Sequence, residues 1–437
     1  MEKIITDALI RLKIDALNEM QIASLQAHTT AQDLILLSPT GSGKTLAFLL
    51  PLLAALQSGN DRLQAIIITP SRELALQIES VFRSLGSGFK ICCCYGGHPA
   101  AVERRSLAQP TAVVVGTPGR LLDHIEKRVV DVRAVSTIIL DEFDKSLEFG
   151  FQEEMSAILE HLTGVKRRVL TSATQAIEVP DFVGMSSPLT LDFLAGAAPL
   201  ALTMKRVVSP EKDKLGTLYR LLCQLDGAPA LIFCNYRESA ERVSEYLAEE
   251  GVANEFFHGG LEQDERERAL AKFRNGSANL FISTDLASRG LDIPEIKYII
   301  HYQLPPAEEA FIHRNGRTAR MNASGTAYVL VSEEEYLPEY MEQVTEIEEL
   351  KTVETRPAPP RWVTLYIGKG KKDKLSKGDI VGFLCQKGDL QKEEIGTIEV
   401  RDYYAFAAVA RVRLAEVLHR VGNEKIKGMR TKIEVAD

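Results

Sequence analysis

Long apolar runs and paired cysteines are both missing from this 437-residue chain. No stretch approaches the roughly 20 apolar residues that span a bilayer, so no transmembrane helix is expected. The amino-terminal MEKIITDALIRLKI lacks a signal-peptide pattern, and the expectation is a cytoplasmic protein with no membrane partner. The six cysteines, Cys92, Cys93, Cys94, Cys223, Cys234 and Cys385, include no CxxC pair. Three of them stand together in FKICCCYGG, which reads as a buried strand filled with small apolar side chains rather than as a metal or disulfide site. Free thiols of this kind suit a reducing compartment.

What is present points to a multidomain globular protein. Hydrophobic residues make up 45% and charged residues 26%, and roughly 150 residues per domain suggests about three domains. The charge is uneven. From Arg361 to Asp437 sixteen Lys and Arg face eleven Asp and Glu, leaving +5, so the remainder carries −13 of the total −8. A basic tail on an acidic body predicts a polyanion-binding appendage.

Two motifs carry chemistry. In LILLSPTGSGKTLAFLLPLL, the apolar run Leu34 to Leu37 leads through Thr40, Gly41, Ser42, Gly43, Lys44 and Thr45 into a helical pattern, the context of a P-loop. Glycines let backbone amides wrap phosphates, Lys44 reaches the β- and γ-phosphates, and the Thr45 hydroxyl is placed for Mg2+. Ser38 stands where the strict pattern has Gly. In TIILDEFDKSLEFGF, an apolar strand ends in Asp141, Glu142 and Asp144. Carboxylates there cost desolvation unless a cation compensates. Asp141 is therefore expected to help hold Mg2+, and Glu142 to orient and deprotonate a water for attack on a γ-phosphate.

Apolar runs at 65 to 69, 112 to 116, 137 to 140 and 168 to 172 alternate with helical segments, the signature of a parallel sheet covered on both faces. The alternation restarts at 230 to 234, 279 to 284, 298 to 302 and 327 to 331, without a second P-loop. A Pro-rich stretch then precedes a strand, helix, strand, strand, helix, strand order, the ferredoxin-like arrangement used by RRM domains. The expected division is 1–205, 206–345, a linker at 346–360, and 361–437.

The ordered series Thr69 to Ala75, Tyr95-Gly96-Gly97, Thr117 to Arg120, Ser172-Ala173-Thr174, His258-Gly259-Gly260, Ser283 to Asp292 and His313 to Arg320 resembles the motif set of DEAD-box RNA helicases over the first 345 or so residues. The resemblance implies an α/β fold of two tandem RecA-like domains and an RNA-stimulated ATPase that unwinds RNA duplexes locally, with ATP and Mg2+ as cofactors. It implies that Asp292 contacts the ribose, that Gln21 reads the adenine edge, and that Ser172 and Thr174 couple hydrolysis to strand separation through Asp144. Arg317 and Arg320, three apart on an expected helix, are the candidate arginine fingers. Pro70, Arg72, Gly97, Thr117, Gly119, Arg120, Gly260 and Thr284 would hold the RNA backbone without reading bases. Two departures stand out: Phe143 replaces the alanine of the family pattern, which bears on packing against Ser172, and Ile4 replaces the aromatic that stacks on adenine.

The last 75 or so residues resemble the RNA-binding domain of the DbpA helicases, most clearly in IGKGKKDKLSKGDIVGFL and EKIKGMRTKIEV. In that group the domain, a small α+β RRM-like unit, recognises a hairpin of large-subunit ribosomal RNA. The implied partners are a 23S rRNA hairpin and pre-50S particles, in ribosome assembly, and a monomer is expected. Lys369, Lys371, Lys372 and Lys427 sit on expected loops where phosphate contact is feasible. Tyr404 and Phe406 alternate on one strand face at the RRM stacking position, open to either base stacking or packing. The alternative to an unwinding enzyme is a nucleotide-gated RNA clamp or chaperone whose hydrolysis is weakly coupled.

Overall fold

Each lobe is organised around central strands that are apolar and buried at every position, such as Ala65–Ile68, Val113–Gly116 and Ala230–Phe233, because a parallel sheet buries both of its faces. The computed structural model describes residues 2–39, 41–174, 179–194, 202–285, 293, 296–318, 325–351, 355–422 and 424–436, with side chains from residue 5. In the first lobe, β1 (Asp33–Leu37), β2 (Ala65–Ile68), β3 (Ile91–Cys94), β4 (Val113–Gly116), β5 (Thr137–Leu140), β6 (Arg167–Ser172) and β7 (Leu189–Asp192) pair in parallel in the order β3-β4-β2-β5-β6-β1-β7. Alternate residues of one strand feed two cores: Ala65 and Ile67 join Phe48, Leu49 and Leu53, whereas Ile66 and Ile68 join Leu121, Met155 and Ile158.

The helix after the phosphate loop, Lys44–Ala55, contains Pro51, which has no N–H for the carbonyl of Ala47 four residues back. The hydroxyl of buried Ser24, on the helix Glu19–Thr30, donates to that carbonyl at 2.6 Å. A break in one helix is thus filled from its neighbour, and the two are held side by side.

The second lobe repeats the plan with β8 (Leu202–Ser209), β9 (Ala230–Phe233), β10 (Asn254–Phe257), β11 (Leu280–Ser283), β12 (Tyr298–His301), β13 (Gly325–Ser332) and β14 (Glu346–Ile347), in the parallel order β10-β11-β9-β12-β13-β8-β14. Two expected boundaries shift. The division at 205 and 206 would cut β8, which pairs along its whole length with β13, and the unit containing it starts ahead of that strand. Residues 346 and 347, expected in the linker, form the edge strand β14 against Lys205 and Arg206.

In the tail, β15 (Trp362–Ile367), β16 (Ile395–Val400), β17 (Ala405–Ala410), a small hairpin of β18 (Lys425–Ile426) and β19 (Met429–Arg430), and β20 (Ile433–Val435) surround the helices Lys377–Gln386 and Leu414–Val421. The main sheet is antiparallel in the order β16-β17-β15-β20. One face, with Leu365, Ile367, Ala407 and Val409, packs on the helices. The other face lies on the second lobe. Phe406, 3% exposed, meets Ala271 of the helix Gln263–Arg274, Tyr404 donates to Glu267 Oε2 at 2.6 Å, and Thr364 accepts from Asn275 Nδ2 and donates to Ser277 Oγ, both at 2.8 Å. Of the two readings open for Tyr404 and Phe406, packing is the one observed, since the stacking face is occupied by protein.

Candidate active site

The phosphate loop is held open by left-handed glycines and braced from outside. Gly41 and Gly43 have φ of 82° and 91°, backbone that L side chains rarely adopt. A Cβ on Gly43 would also lie 2.7 Å from Gln21 Nε2. Gln21 donates to the Gly43 carbonyl at 3.3 Å and its own amide N–H donates to Asn18 Oδ1 at 2.9 Å, while Asn18 Nδ2 donates to the Ser42 carbonyl at 2.9 Å. Ser38 lies fully buried with its hydroxyl 3.0 Å from that of Ser42. Lys44 donates to the Ser38 carbonyl at 2.6 Å. Thr45 follows within the first turn of the helix; Thr40 lies outside the described residues.

At the end of β5, Asp141 is 3% exposed and accepts from Thr171 Oγ1 at 2.5 Å. Burial pushes its carboxyl up, opposed by the Thr171 hydrogen bond and the charge of Lys44. Glu142 has φ 48° and ψ 53°, a strained conformation for a non-glycine residue of the kind that collects at functional sites. Its N–H donates to Thr171 Oγ1 at 3.2 Å. Thr171, which no sequence motif marks, therefore fixes the Asp141 carboxylate and the Glu142 backbone.

Phe143 is fully buried in the core formed with Leu121, Met155, Ile158 and Leu170. Burying such a ring contributes about 1.5–3 kcal/mol, so the extra volume beside the carboxylates is absorbed as core. The expected coupling contacts are rearranged: Ser172 Oγ donates to the Thr174 carbonyl and accepts the Thr174 N–H, both at 3.0 Å, and of the two hydroxyls Thr174 Oγ1 reaches Asp144 Oδ2, at 3.5 Å. Ser172 turns to its own loop because that turn satisfies it locally.

The first lobe's other strand ends gather further groups. Gly97 has φ 92°, and a side chain there would collide with the Arg72 guanidinium; Pro70 is buried just before Arg72. Thr117 donates its N–H to the Cys94 carbonyl at 3.1 Å and precedes Pro118 and Gly119, the start of the helix Pro118–Glu126. Arg120 donates to Glu103 at 3.1 Å and to the His98 carbonyl at 3.2 Å. Burial raises the Glu103 carboxyl, but hydrogen bonds from His124, His98 and the Tyr95 amide, with the charge of Arg120, outweigh it and bring it down to about 2.

In the second lobe, Gly260 N–H donates to His258 Nδ1 at 3.1 Å. Thr284 follows β11 and precedes Asp285, which pairs with Arg314 at 2.6 Å. Arg314 is fully buried, donates also to Asn235 at 2.9 Å and to the Gln303 carbonyl at 3.1 Å, and lies 5.1 Å from the Phe233 ring centre. It was passed over in favour of its neighbours, although HRNGRTAR contains it. The expected helix carrying both arginine fingers ends earlier: it runs Glu308–Asn315, capped by Gly316, so buried Arg317 sits in the following turn. Arg320 and Asp292 lie outside the described residues.

In the tail, Lys371 and Lys372 are exposed, Lys369 pairs with Asp373 at 3.1 Å, and Lys427 donates to Asp379 at 3.0 Å and to the Lys374 carbonyl at 2.8 Å. That pairing ties the two basic loops together.

Similarity to known proteins agrees with this arrangement. The DEAD/DEAH box helicase family model matches residues 18–182, the helicase conserved C-terminal domain 213–322, and the DbpA RNA binding domain 364–435. The ATP-dependent RNA helicase DbpA of Escherichia coli (strain K12) is 31% identical over 95% of this chain and 93% of its own length. Its namesake from Bacillus subtilis (strain 168) is 29% identical over 96% and 94%. Among solved structures, S. cerevisiae Dbp5 bound to RNA and ADP BeF3 aligns with a TM-score of 0.67 at 25% identity, covering 77% of this chain and 88% of that one. Mss116p bound to ssRNA and AMP-PNP, with a TM-score of 0.71 at 23% identity over 80% and 78%, shares the fold. Among the described residues no helix is long and apolar enough to cross a membrane. Two RecA-like parallel sheets, a small antiparallel sheet domain and relatives matched along nearly their whole length lead to one conclusion: the chain belongs to the DEAD-box ATP-dependent RNA helicases of the DbpA type.

Proposed function

We propose that this RNA helicase unwinds short duplexes of large-subunit ribosomal RNA locally and non-processively during ribosome assembly, as a cytoplasmic monomer whose tail grips a 23S rRNA hairpin on pre-50S particles. The observation that supports the reading is the tail itself, a DbpA RNA binding match over 364–435 on the same chain as both helicase lobes. Exposed Lys371 and Lys372 offer it phosphate contacts.

In this reading Lys44 holds the β- and γ-phosphates of ATP, Glu142 orients the attacking water, and Arg317 and Arg320 of the second lobe offset charge in the transition state. Gln21 reads the adenine and Asp292 the ribose. Thr45 and Asp141 would hold Mg2+. The fit rests on Asp141, a buried carboxyl whose ionisation burial opposes and a dication would restore. When bound, that ion neutralises phosphate charge. Pro70, Arg72, Gly97, Thr117, Gly119, Arg120, Gly260 and Thr284 position the RNA backbone, so the enzyme separates strands without reading their bases.

The test compares ATP turnover stimulated by a 23S hairpin fragment and by a scrambled RNA, in the wild type and in Lys371→Glu with Lys372→Glu. The variant should lose preference for the hairpin; unchanged preference would refute the targeting role. A second reading, a clamp with weak coupling, is favoured by one contact, the long Thr174 to Asp144 hydrogen bond of 3.5 Å. Duplex separation by ATP but not by a non-hydrolysable analogue would exclude the clamp.

A further inference from the structure

Three buried side chains of different donor type converge in the first lobe, outside the residues placed at the phosphate loop. The Cys94 thiol at the end of β3, the Glu103 carboxylate on the helix Ala100–Leu107 and a His124 ring nitrogen on the helix Pro118–Glu126 all lie within 4.8 Å of one another. Cys94 is fully buried, Glu103 2% exposed and His124 1% exposed. No other group of this kind occurs among the described residues.

A second observation concerns the imidazole itself. His124 Nε2 is hydrogen-bonded to Glu103 Oε2, while its Nδ1 is buried with no hydrogen-bond partner among the described residues. A neutral imidazole keeps one lone pair that a cation can use; Nε2 is the nitrogen that faces Glu103, and binding there leaves the ring proton on Nδ1. His98 Nε2 stands 3.0 Å from Glu103 Oε1 and supplies a fourth donor atom at the rim.

We propose that Cys94, Glu103 and His124 form a binding site for a borderline-soft divalent cation, Zn2+ being the best match, with His98 or water completing four-coordination. Thiolate, carboxylate and imidazole are the donors such an ion takes, and bond lengths of about 2.0–2.3 Å place ligand atoms roughly 3.3–3.8 Å apart, a contraction of about 1 Å from the present limit. On binding, a metal–sulfur bond forms and the Cys94 thiol releases one proton to solvent. Arg120, which also bonds Glu103, stays outside the coordination sphere. The ion would pin β3 and two helices together beneath the Gly96-Gly97 and Thr117 to Arg120 segments. The spacing of these ligands along the chain resembles no zinc motif, because the sheet, not a local loop, brings them together.

The proposal does not depend on the RNA target. The full chain, stripped with chelator, is titrated with Co2+ and read by absorption, then with Zn2+ and read by thermal unfolding. The expected result is one equivalent bound with a thiolate-to-cobalt charge-transfer band, displaced by Zn2+, and a raised Tm. Cys94→Ala and His124→Gln should each lose the band, and Cys385→Ala should keep it. If either first-lobe variant fails to fold, the wild-type titration still decides. Absence of the band, its survival in Cys94→Ala, or an unchanged Tm with Zn2+ would overturn the site.

Discussion

The phenolic hydroxyl of Tyr404 donates to Glu267 Oε2 at 2.6 Å, joining the tail's sheet face to a helix of the second lobe. A hydrogen bond to a charged group contributes about 1.5–3 kcal/mol. Tyr404→Phe should loosen the tail, seen as faster proteolysis of the segment before Arg361, while affinity for a hairpin RNA stays within about twofold. A large loss of affinity would mean that this face binds RNA.

Ser24 offers a sharper packing test. Its hydroxyl takes the place of the N–H that Pro51 lacks, so Ser24→Ala should leave the Ala47 carbonyl unsatisfied and cost about 1–3 kcal/mol in denaturant unfolding. In a Pro51→Ala background, where an N–H returns, the same change should cost measurably less. Equal losses in both backgrounds would separate Ser24 from Pro51.

Gln21 braces the phosphate loop through its amide donor. Gln21→Ala should raise KM for ATP roughly fivefold, equivalent to about 1 kcal/mol, with a smaller change in kcat. Gln21→Glu, which keeps the acceptor facing the Asn18 N–H, should raise it at least as much. Wild-type KM in Gln21→Glu would place the effect elsewhere.

His301 predicts a pH dependence. It is fully buried, and burial with the nearby Arg314 charge lowers it from 6.5 to about 3, against the raising effect of Asn315. Its folded form stays neutral while the unfolded form gains a proton below pH 6.5, so this part of the stability is present above that value and is lost as pH falls towards 3. The slope is about 1.4 kcal/mol per pH unit. His301→Gln should flatten the decline between pH 6 and 4 by about one proton's worth; an identical slope would contradict the assignment.

Much of this molecule is readable from one-dimensional pattern because its chemistry sits where strands end. The P-loop glycines and the break after Leu140 are local signals, and the central strands of both lobes follow from apolar runs, whereas β7, β8, β10 and β14, which carry residues such as Asp192, Lys205, Arg206, Asn254 and Glu346, do not. What escaped is non-local. Glu103 with His98, Arg120 and His124, the Ser24 bond to Ala47, and Arg314 with Asp285 each join residues that only the sheet order makes neighbours. The tail's covered face escaped for the same reason: Phe406 alternates as an RNA-stacking residue would, and nothing in β17 records that Ala271 lies against it. The helix expected through Arg320 failed locally, at Gly316.

The central claim is that ATP turnover needs the second lobe's arginine as much as the first lobe's phosphate-loop lysine. The direct measurement is steady-state ATP hydrolysis at saturating RNA for Lys44→Ala and Arg317→Ala. Removing a charge-stabilising donor of this kind costs on the order of 100-fold or more, so both variants should fall at least that far. Wild-type turnover in Arg317→Ala would contradict the account.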